Sequence, residues 1–532
     1  MKLTFIGATH EVTGSCYYLE ACEQKILIDC GMEQGMDLYE NQKLPVAAAD
    51  INYVFLTHAH IDHSGMLPDL YSKGFRGKIL ATGATCQLCD IMLRDSAHIQ
   101  MMEAEWRNKK KKPGEKDYVP LYDMDDAIGA VSLFEPYHYN EMINVAPGIR
   151  IRFVDCGHML GSSSIEILIH EDQVEKKIVF SGDIGNFNQA LIRDPQYIKS
   201  ADYVVMESTY GDRSHSVISS YLDDLTKIIQ NTLDRGGNVV IPSFAIGRAQ
   251  EILYFMRQIK QDHLISGHDH FPVYLDSPLA VEASEIFSEN TKEYFDQDAM
   301  VFVNQGINPI IFDDLIMSVT TDESKAINFD DRPKVIISAS GMCDAGRIKH
   351  HLRYNLERPE STILFVGYQA KGTLGRSISD GAPKIHLFGE EVYIKAKISQ
   401  IEGFSSHADN NGLIAWINHF EENPQKVFIC HGEDTVCDLF AERLSQEFGH
   451  DTYAPFSGAR YDLANNVLLS QGVRVRIASA PSLQFKKSAI FERLLAAGNR
   501  LIHVIHENEA ASPAEMTRLA DQINTISDRW EK

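Results

Sequence analysis

The chain is organised around one short stretch, Leu56-Thr57-His58-Ala59-His60-Ile61-Asp62-His63-Ser64. An apolar run over 51–56 precedes it and predicts a buried strand, and residues 66–71 predict the start of a helix after it. Three histidines and an aspartate at the end of a strand add little to a hydrophobic core. They are, however, ligand types that suit divalent zinc. The stretch therefore predicts a metal-binding loop between a strand and a helix.

The spacing within the stretch divides its ligand candidates into two pairs. His58 and His60 alternate along an extended backbone and can share one ion. Asp62 and His63 follow a change of chain direction and can face a second ion nearby. One His-x-His pair alone would be weak evidence, because short motifs carry a high risk of false matches. The full pattern favours metal binding over a polar loop that merely caps the following helix.

Length and composition predict a globular protein of more than one domain with reduced cysteines. The 532 residues exceed the usual size of one domain, and 44% of them are hydrophobic and 23% charged. No apolar run is long enough to span a bilayer, and residues 1–7 predict a first strand rather than a signal peptide. The nine cysteines are scattered, and Cys86 and Cys89 are better explained as one face of a helix than as a metal site. We therefore expect a cytoplasmic protein with no membrane partner.

The formal net charge of −24 bears on the choice of partner. A protein this acidic repels nucleic acid at long range, so any polyanion must be bound locally by metal, arginine or backbone donors. The clearest basic segment, Lys109-Lys110-Lys111-Lys112-Pro113-Gly114, is predicted to be a surface loop. A solvated loop is favoured there over a contact with a phosphate backbone. The net charge is the main argument in the sequence against a nucleic-acid substrate.

Further apolar runs end in the same way as the first. Strands predicted over 149–155, 177–180 and 203–206 lead into loops of small residues that each present one imidazole or carboxylate. Together with a strand over 25–28, they deliver Asp29, His158, Asp183 and Glu207. Asp29 either caps a turn or supports the metal loop as a hydrogen-bond acceptor, and the sequence leaves both open. Four such strand ends are hard to explain by packing alone.

Beyond about residue 216 the pattern changes to that of a second α/β domain. Continuous apolar runs separated by helical stretches predict buried parallel strands over 239–244, 273–277, 335–339 and 363–367. Ligands bind beyond the carboxyl ends of such strands. Arg347 and Arg376 follow two of these strands and are candidate substrate-binding residues that contact phosphate, with ordinary surface ion pairs as the equal alternative.

The first pattern then returns. A strand predicted over 392–398 is followed by His407 in Ser405-Ser406-His407-Ala408-Asp409, and a strand over 427–430 delivers His431. The second domain is therefore predicted to be inserted into the first. The expected parts are 1–212 and 401–472 for the first domain, 213–400 for the insertion, and 473–532 for a C-terminal extension to which we assign no role.

At this point the residues resemble those of a known family, the β-CASP branch of the metallo-β-lactamase superfamily. The resemblance is carried by Asp29, His58, His60, Asp62, His63, His158, Asp183, Glu207, His407 and His431. That branch contains nucleases, chiefly RNA-processing enzymes related to the endonuclease of the cleavage and polyadenylation machinery. The resemblance covers residues 1 to about 470. It implies an α/β fold, an αββα metallo-β-lactamase sandwich with an inserted α/β (β-CASP) domain that closes over the site.

The resemblance also implies a role for each site residue. Two zinc ions are expected, one bound by His58, His60 and His158, the other by Asp62, His63 and His431, with Asp183 as the bridge between them. A zinc-activated hydroxide would attack phosphorus in line, and Asp62 is counted among the catalytic residues. His407 is expected to act as the general acid, with its other ring nitrogen held by Glu207. The products would carry a 5′-phosphate and a 3′-hydroxyl.

The expected activity is therefore that of a zinc-dependent ribonuclease, preferably an endonuclease, acting on single-stranded RNA. RNA is preferred over DNA because most relatives with this motif set act on RNA. Two other hypotheses stay open: a hydrolase of small esters, thioesters or lactams on the same scaffold, and a binding subunit without catalysis. The acidic charge favours the small substrate, whereas Glu207, His407 and the insertion argue against it. The sequence leaves open endonuclease against 5′-exonuclease action and the oligomeric state, a homodimer included.

Overall fold

The computed structural model describes the chain except residues 35–37, 112–115, 216–220, 368, 370–371, 402–404, 478–496, 499, 503, 507–511 and 531–532. The strands are β1 Lys2–Gly7, β2 Cys16–Ala21, β3 Gln24–Ile28, β4 Tyr53–Phe55, β5 Lys78–Thr82, β6 Phe134–Tyr137, β7 Ile143–Ala146, β8 Ile149–Asp155, β9 Ser163–Glu171, β10 Val174–Phe180, β11 Tyr203–Glu207, β12 Val239–Pro242, β13 Val273–Asp276, β14 Leu315–Ser318, β15 Val335–Ser338, β16 Thr362–Phe365, β17 Lys384–Leu387, β18 Glu390–Tyr393, β19 Lys397–Gln400, β20 Lys426–Cys430, β21 Thr452–Tyr453, β22 Ala459–Asp462 and β23 Val467–Gln471.

The helices are α1 Ile61–Ser64, α2 Leu67–Ser72, α3 Gly83–Lys110, α4 Met124–Val131, α5 Tyr221–Asp234, α6 Arg248–Gln261, α7 Pro278–Glu289, α8 Thr291–Tyr294, α9 Gln297–Asn304, α10 Thr321–Phe329, α11 Ile348–Asn355, α12 Leu374–Ser379, α13 Asn410–Ile417, α14 Asp434–Phe448 and α15 Pro513–Trp530. Within the described ranges, no helix is both long and apolar enough to cross a membrane.

Two sheets face each other in the first domain. Their strand orders are β23-β22-β1-β2-β3-β4-β5-β6 and β21-β20-β11-β10-β9-β8-β7. The space between them is filled by inward-facing apolar side chains such as Phe5, Phe153 and Phe428, because alternate residues of a strand point to one face. Helices α2, α3 and α4 cover the outer face of the first sheet, and α13 and α14 cover that of the second. This layering is the predicted αββα sandwich.

The insertion is a separate parallel sheet with helices on both faces. Its strand order is β14-β13-β15-β12-β16-β19, and all neighbouring pairs are parallel. Along β12, Val239 and Ile241 pack with α5, α6 and α7, whereas Val240 packs with α11 on the opposite face. Burial on both faces explains why these strands are continuous apolar runs rather than alternating ones. The prediction of buried parallel strands is therefore confirmed.

The insertion packs against one side of the sandwich and forms hydrogen bonds with it. Helices α3 and α7 pack together, and one apolar core runs from the outer face of the first sheet into the insertion. The Ala84 amide donates to the Tyr294 hydroxyl at 3.2 Å, and Arg193 Nε donates to the carbonyl of Phe295 at 3.1 Å. The two domains therefore share part of their hydrophobic core.

Two predictions from local pattern are wrong. Residues 392–398 are not one strand: β18 ends at Tyr393 in a hairpin with β17, and β19 begins at Lys397 as an edge of the parallel sheet. The alternation of apolar residues continues across this break, so the pattern alone cannot show that the hydrogen-bonding partner changes. Lys109 and Lys110 are likewise not in a loop but in the last turn of α3, where glutamates four residues earlier pair with Arg107 and Lys109.

Two other sequence predictions can be placed. Cys86 and Cys89 lie on α3 as free thiols, as predicted for one face of a helix. In the predicted basic loop, Lys111 is the C-cap residue of α3, and 112–114 lies outside the described residues.

We predict that Phe153→Ala lowers the free energy of unfolding of the sandwich by about 3–5 kcal/mol, because a fully buried aromatic ring leaves a cavity between the sheets. The matched control is Phe329→Ala, since Phe329 is 73% exposed on the insertion. Its effect should stay within about 0.5 kcal/mol. Chemical denaturation of both variants provides the measurement, and equal midpoints would contradict the assigned core.

Candidate metal centre

The ligand candidates meet because three neighbouring strands of the second sheet are parallel. β10 pairs with β11, and β11 pairs with β20, so their carboxyl ends lie at one edge of the sheet. Asp183, Glu207 and His431 stand at or just after these ends. β11 and β20 are separated along the chain by the whole insertion. Their adjacency is therefore a property of the fold that the order of residues does not show.

The stretch over 56–64 reaches the same edge from the first sheet. His58 follows β4 on an extended segment, and the chain then turns into α1, which carries Asp62 and His63. His60 is the residue that precedes this helical turn. His158 comes from the turn between β8 and β9. The expected change of chain direction between the two pairs of candidates is thus present.

Four side chains form a first cluster: His58, His60, His158 and Asp183. His60 Nδ1 lies 3.1 Å from both His58 Nε2 and His158 Nε2. Asp183 Oδ2 lies 3.5 Å from each of the same two Nε2 atoms. All four potential donor atoms therefore converge on one small volume.

A second cluster contains Asp62, His63 and His431. The Nε2 atoms of the two histidines are 3.2 Å apart, and Asp62 Oδ2 is 3.6 Å from His431 Nε2. Asp183 Oδ1 lies 3.3 Å from His63 Nε2 and 3.6 Å from His431 Nε2. The two oxygens of Asp183 thus face different clusters, which is the geometry of a bridging ligand.

The donor atoms have the spacing that zinc requires. Tetrahedral zinc with ligands at about 2.0–2.1 Å separates its donor atoms by about 3.3 Å, and most of the separations in the two clusters fall between 3.1 and 3.6 Å. Asp183 Oδ1 is buried and accepts no hydrogen bond. A buried carboxylate oxygen without a donor is unfavourable unless a cation fills the place of the donor. The residues present therefore fit two metal ions.

The remaining nitrogen of most ligand imidazoles is held by a neighbouring oxygen. His63 Nδ1 lies 2.8 Å from Asp29 Oδ2, and His58 Nδ1 lies 3.0 Å from the hydroxyl of Thr57, which itself donates to Asp29. His431 Nδ1 lies 3.1 Å from the hydroxyl of Thr209. Such partners fix the tautomer and the orientation of a ligand. Asp29 therefore occupies the supporting position that was one of its two open alternatives.

Sequence reasoning missed both threonines. Thr57 lies inside the stretch over 56–64, and Thr209 is two residues after Glu207. Each is a small polar residue next to a strand end that presents a candidate site residue, which is a signal that the sequence does contain. What the sequence lacks is the position of His431 relative to Thr209, since the two residues are 222 positions apart along the chain.

Burial favours the neutral imidazole in the first cluster. It lowers the pKa of His58, His60 and His158, and neighbouring imidazoles lower the pKa of each further. Neutral imidazole is the form that donates a lone pair to a metal. Although burial favours the neutral carboxyl, the neighbouring imidazole of His431 lowers the pKa of Asp62 to about 2. The first cluster thus offers neutral nitrogens, and Asp62 offers a carboxylate.

His407 and Glu207 stand beside the clusters as a pair. His407 Nδ1 lies 3.2 Å from Glu207 Oε2, and His407 Nε2 lies 3.8 Å from Asp183 Oδ2. Burial alone would lower the pKa of His407, but the carboxylates of Glu207 and Asp183 raise it to about 9. This pKa would leave His407 protonated near neutral pH, and the geometry holds one ring nitrogen at Glu207 and leaves the other 3.8 Å from Asp183.

The two candidate arginines lie elsewhere, in the insertion. Arg347 Nη1 donates to Asp276 at 2.7 Å and to the carbonyl of Ser318 at 3.2 Å, and its Nη2 donates to the carbonyl of Val319. Arg376 on α12 pairs at 2.8 Å with Asp380, the residue just after the end of that helix. Both guanidinium groups are thus engaged within their own domain. Their role as phosphate contacts stays a prediction.

Three family models match successive parts of the chain. They are the metallo-beta-lactamase superfamily over 11–231, the Beta-Casp domain over 249–378, and the Zn-dependent metallo-hydrolase RNA specificity domain over 391–455.

Characterised relatives match most of the chain. Ribonuclease TTHA0252 of Thermus thermophilus is 34% identical over 82% of this chain and 94% of its own length. The transcription termination factors FttA of Methanothermobacter thermautotrophicus and Methanosarcina mazei are 31% and 30% identical over 86% and 85% of this chain and 71% and 70% of their own. The chain therefore belongs to the β-CASP branch of the metallo-β-lactamase superfamily.

Proposed function

We propose that this protein is a zinc-dependent ribonuclease that hydrolyses phosphodiester bonds of single-stranded RNA and leaves 5′-phosphate and 3′-hydroxyl ends. The observation that carries the proposal is the His407–Glu207 pair next to the bridging position of Asp183. A general acid at that place is needed when the leaving group is an alkoxide that must gain a proton. The ribonuclease named above, which matches over 94% of its length, supports the same reaction.

Two zinc ions would be held by the two clusters, with Asp183 in both. Bound zinc would lower the pKa of a water molecule, and it would also place positive charge beside the phosphate. Asp62 is ionised and can accept a hydrogen bond from the attacking water. Its side chain is the more exposed member of the second cluster, in contrast to the buried His63 and His431.

His407 has the second task, which is to protonate the leaving oxygen. Its Nε2 carries the proton, while Glu207 accepts a hydrogen bond from Nδ1 and keeps the ring in place. Glu207 is itself oriented, because it also accepts a hydrogen bond from the backbone amide of Ile184. The pair therefore links a proton donor to the loop that carries Asp183.

Some predictions from the sequence stay predictions. The domain boundaries are supported by the parallel sheet of the insertion, whose strands run from β12 to β19. A cytoplasmic location, a homodimer, and the choice of endonuclease over 5′-exonuclease rest on the sequence alone.

The defining test uses zinc-loaded protein with a single-stranded RNA and the matching DNA, each labelled at its 5′ end. We expect internal RNA fragments from the parent protein. His407→Ala should keep its zinc but lose about 10²–10⁴ in rate, since a general acid contributes that much. The control is His419→Ala, at a histidine that stacks on Tyr197 outside the centre. Failure to cut either polymer with zinc bound would contradict the proposal, and release of labelled mononucleotide alone would make the protein a 5′-exonuclease.

Asp183→Ala should bind less zinc than the parent protein, because both clusters lose a ligand. Metal analysis after dialysis gives the stoichiometry. The control is Asp69→Ala, which removes a carboxylate that pairs with Lys73 outside both clusters. Full zinc content in Asp183→Ala would rule out the bridging role.

Glu207→Gln should shift the alkaline limb of the pH–rate profile to lower pH. The Glu207 carboxylate helps to raise the pKa of His407 to about 9. An amide removes that contribution, so His407 loses its proton at lower pH, and activity that depends on the protonated ring declines earlier as pH rises. Profiles of kcat for both proteins provide the measurement. An unchanged alkaline limb would show that His407 is not the titrating acid.

A further inference from the structure

One loop, 207–215, surrounds the proposed general acid. It begins with Glu207 on His407 Nδ1, and it ends with His215, whose Nε2 lies 3.1 Å from the carbonyl oxygen of His407. Backbone contacts tie the loop to the segment that carries His407: the Asn410 amide donates to the carbonyl of Arg213 at 3.0 Å. The loop is therefore held in a fixed position relative to the general acid.

Two side chains of this loop have no part in holding His407. The ring of Tyr210 lies 6.2 Å from the His407 ring and 4.8 Å from the His215 ring. Among the described residues, Tyr210 has ring contacts with these two histidines and with none of the ligand imidazoles. The guanidinium of Arg213 lies 4.9 Å from the centre of the Tyr210 ring. The contacts therefore run in the order His407, Tyr210, Arg213.

Arg213 offers a cation to solvent in the loop that contacts His407. Its side chain is 45% exposed, and its ion pair with the neighbouring Asp212 is 3.3 Å long. An exposed pair of this kind is weak and can be exchanged for a better acceptor. In a chain with a net charge of −24, a phosphate polymer must be bound by such local cations. Guanidinium groups bind phosphate with strong, charge-assisted hydrogen bonds.

The ends of the proposed products determine which nucleotide lies near His407. The inference therefore rests on the proposed function. When hydrolysis leaves a 5′-phosphate and a 3′-hydroxyl, the bond from phosphorus to the 3′ oxygen of the upstream nucleotide breaks. His407 gives its proton to that oxygen. The upstream nucleoside of such a substrate therefore lies on the side of His407, and its own 5′-side phosphate lies one nucleotide further from the scissile bond.

We propose that Tyr210 and Arg213 form a binding subsite for the nucleotide on the 5′ side of the scissile bond. The Tyr210 ring packs against the nucleoside, and the Arg213 guanidinium binds the phosphate on its 5′ side. Stacking on an aromatic ring accepts any base, because each base has a π face. The subsite therefore selects single-stranded RNA by phosphate and flexibility rather than by sequence.

The test is Arg213→Ala in the zinc-loaded full chain with a single-stranded RNA decamer. KM should rise about tenfold to a hundredfold, as expected for the loss of charge-assisted hydrogen bonds, while kcat changes by less than about threefold. The slope of log affinity against log salt should become shallower by about 0.7, the contribution of one phosphate contact on a single strand. Arg213→Lys should keep the slope. The matched control is Arg94→Ala, since Arg94 is also 45% exposed and pairs with an aspartate.

Binding is measured by fluorescence anisotropy in the His407→Ala background, so that the salt slope does not depend on cleavage. An unchanged KM and slope in Arg213→Ala, with RNA cut by the parent protein, would overturn the subsite. No binding or cleavage of RNA by the parent protein would instead overturn the proposed function. Decamers with a 5′-hydroxyl or a 5′-phosphate distinguish the source of the phosphate. An effect confined to the 5′-phosphate RNA assigns the subsite to chain ends, and an equal effect assigns it to internal phosphates.

Discussion

The arrangement of the centre depends on the contacts between the carboxylate of Asp183 and the imidazoles around it. It is buried, its two oxygens face different groups of imidazoles, and Oδ1 accepts no hydrogen bond. Burial opposes its charge, but the imidazoles of His431, His63 and His407 hold the pKa of this carboxyl well below its usual range. A buried charge of this kind is tolerated only with compensating partners. Loops from both sheets of the sandwich supply these partners.

Much of the fold, and which side chains meet at the candidate centre, was predictable because both leave local patterns. An apolar strand that ends in His158 or Asp183 between small residues marks a candidate ligand position in the sequence itself. What was not predictable depends on partners distant in sequence. The pairing of Thr209 with His431 and the separation of β18 from β19 follow from which strands become neighbours. The periodicity of apolar residues indicates which face of a strand is buried, but it does not indicate which element covers that face or which strand lies beside it.

The acidic net charge is a weaker argument against a nucleic-acid substrate when the charges near the centre are considered. Part of the negative charge is buried and faces imidazoles, as in Asp29, Asp183 and Glu207, and does not reach the surface. The charge that a substrate meets at the centre is therefore not the charge of the whole chain. The proposed zinc ions would add positive charge there, and the loop that contacts His407 carries the exposed cation of Arg213. A polyanion can thus be bound locally by a protein that repels it at a distance.

The parallel pairing of β11 with β20 has a consequence for the synthesis of the chain. These strands are adjacent in the sheet, yet β20 leaves the ribosome only after the whole insertion has been made. A nascent chain that ends before residue 431 lacks one ligand of the second cluster and the strand that carries it. Contacts between residues so far apart in sequence also form slowly. The centre is therefore completed late, so that the proposed nuclease cannot attack nearby RNA, its own messenger included, until nearly all of the catalytic domain has been translated.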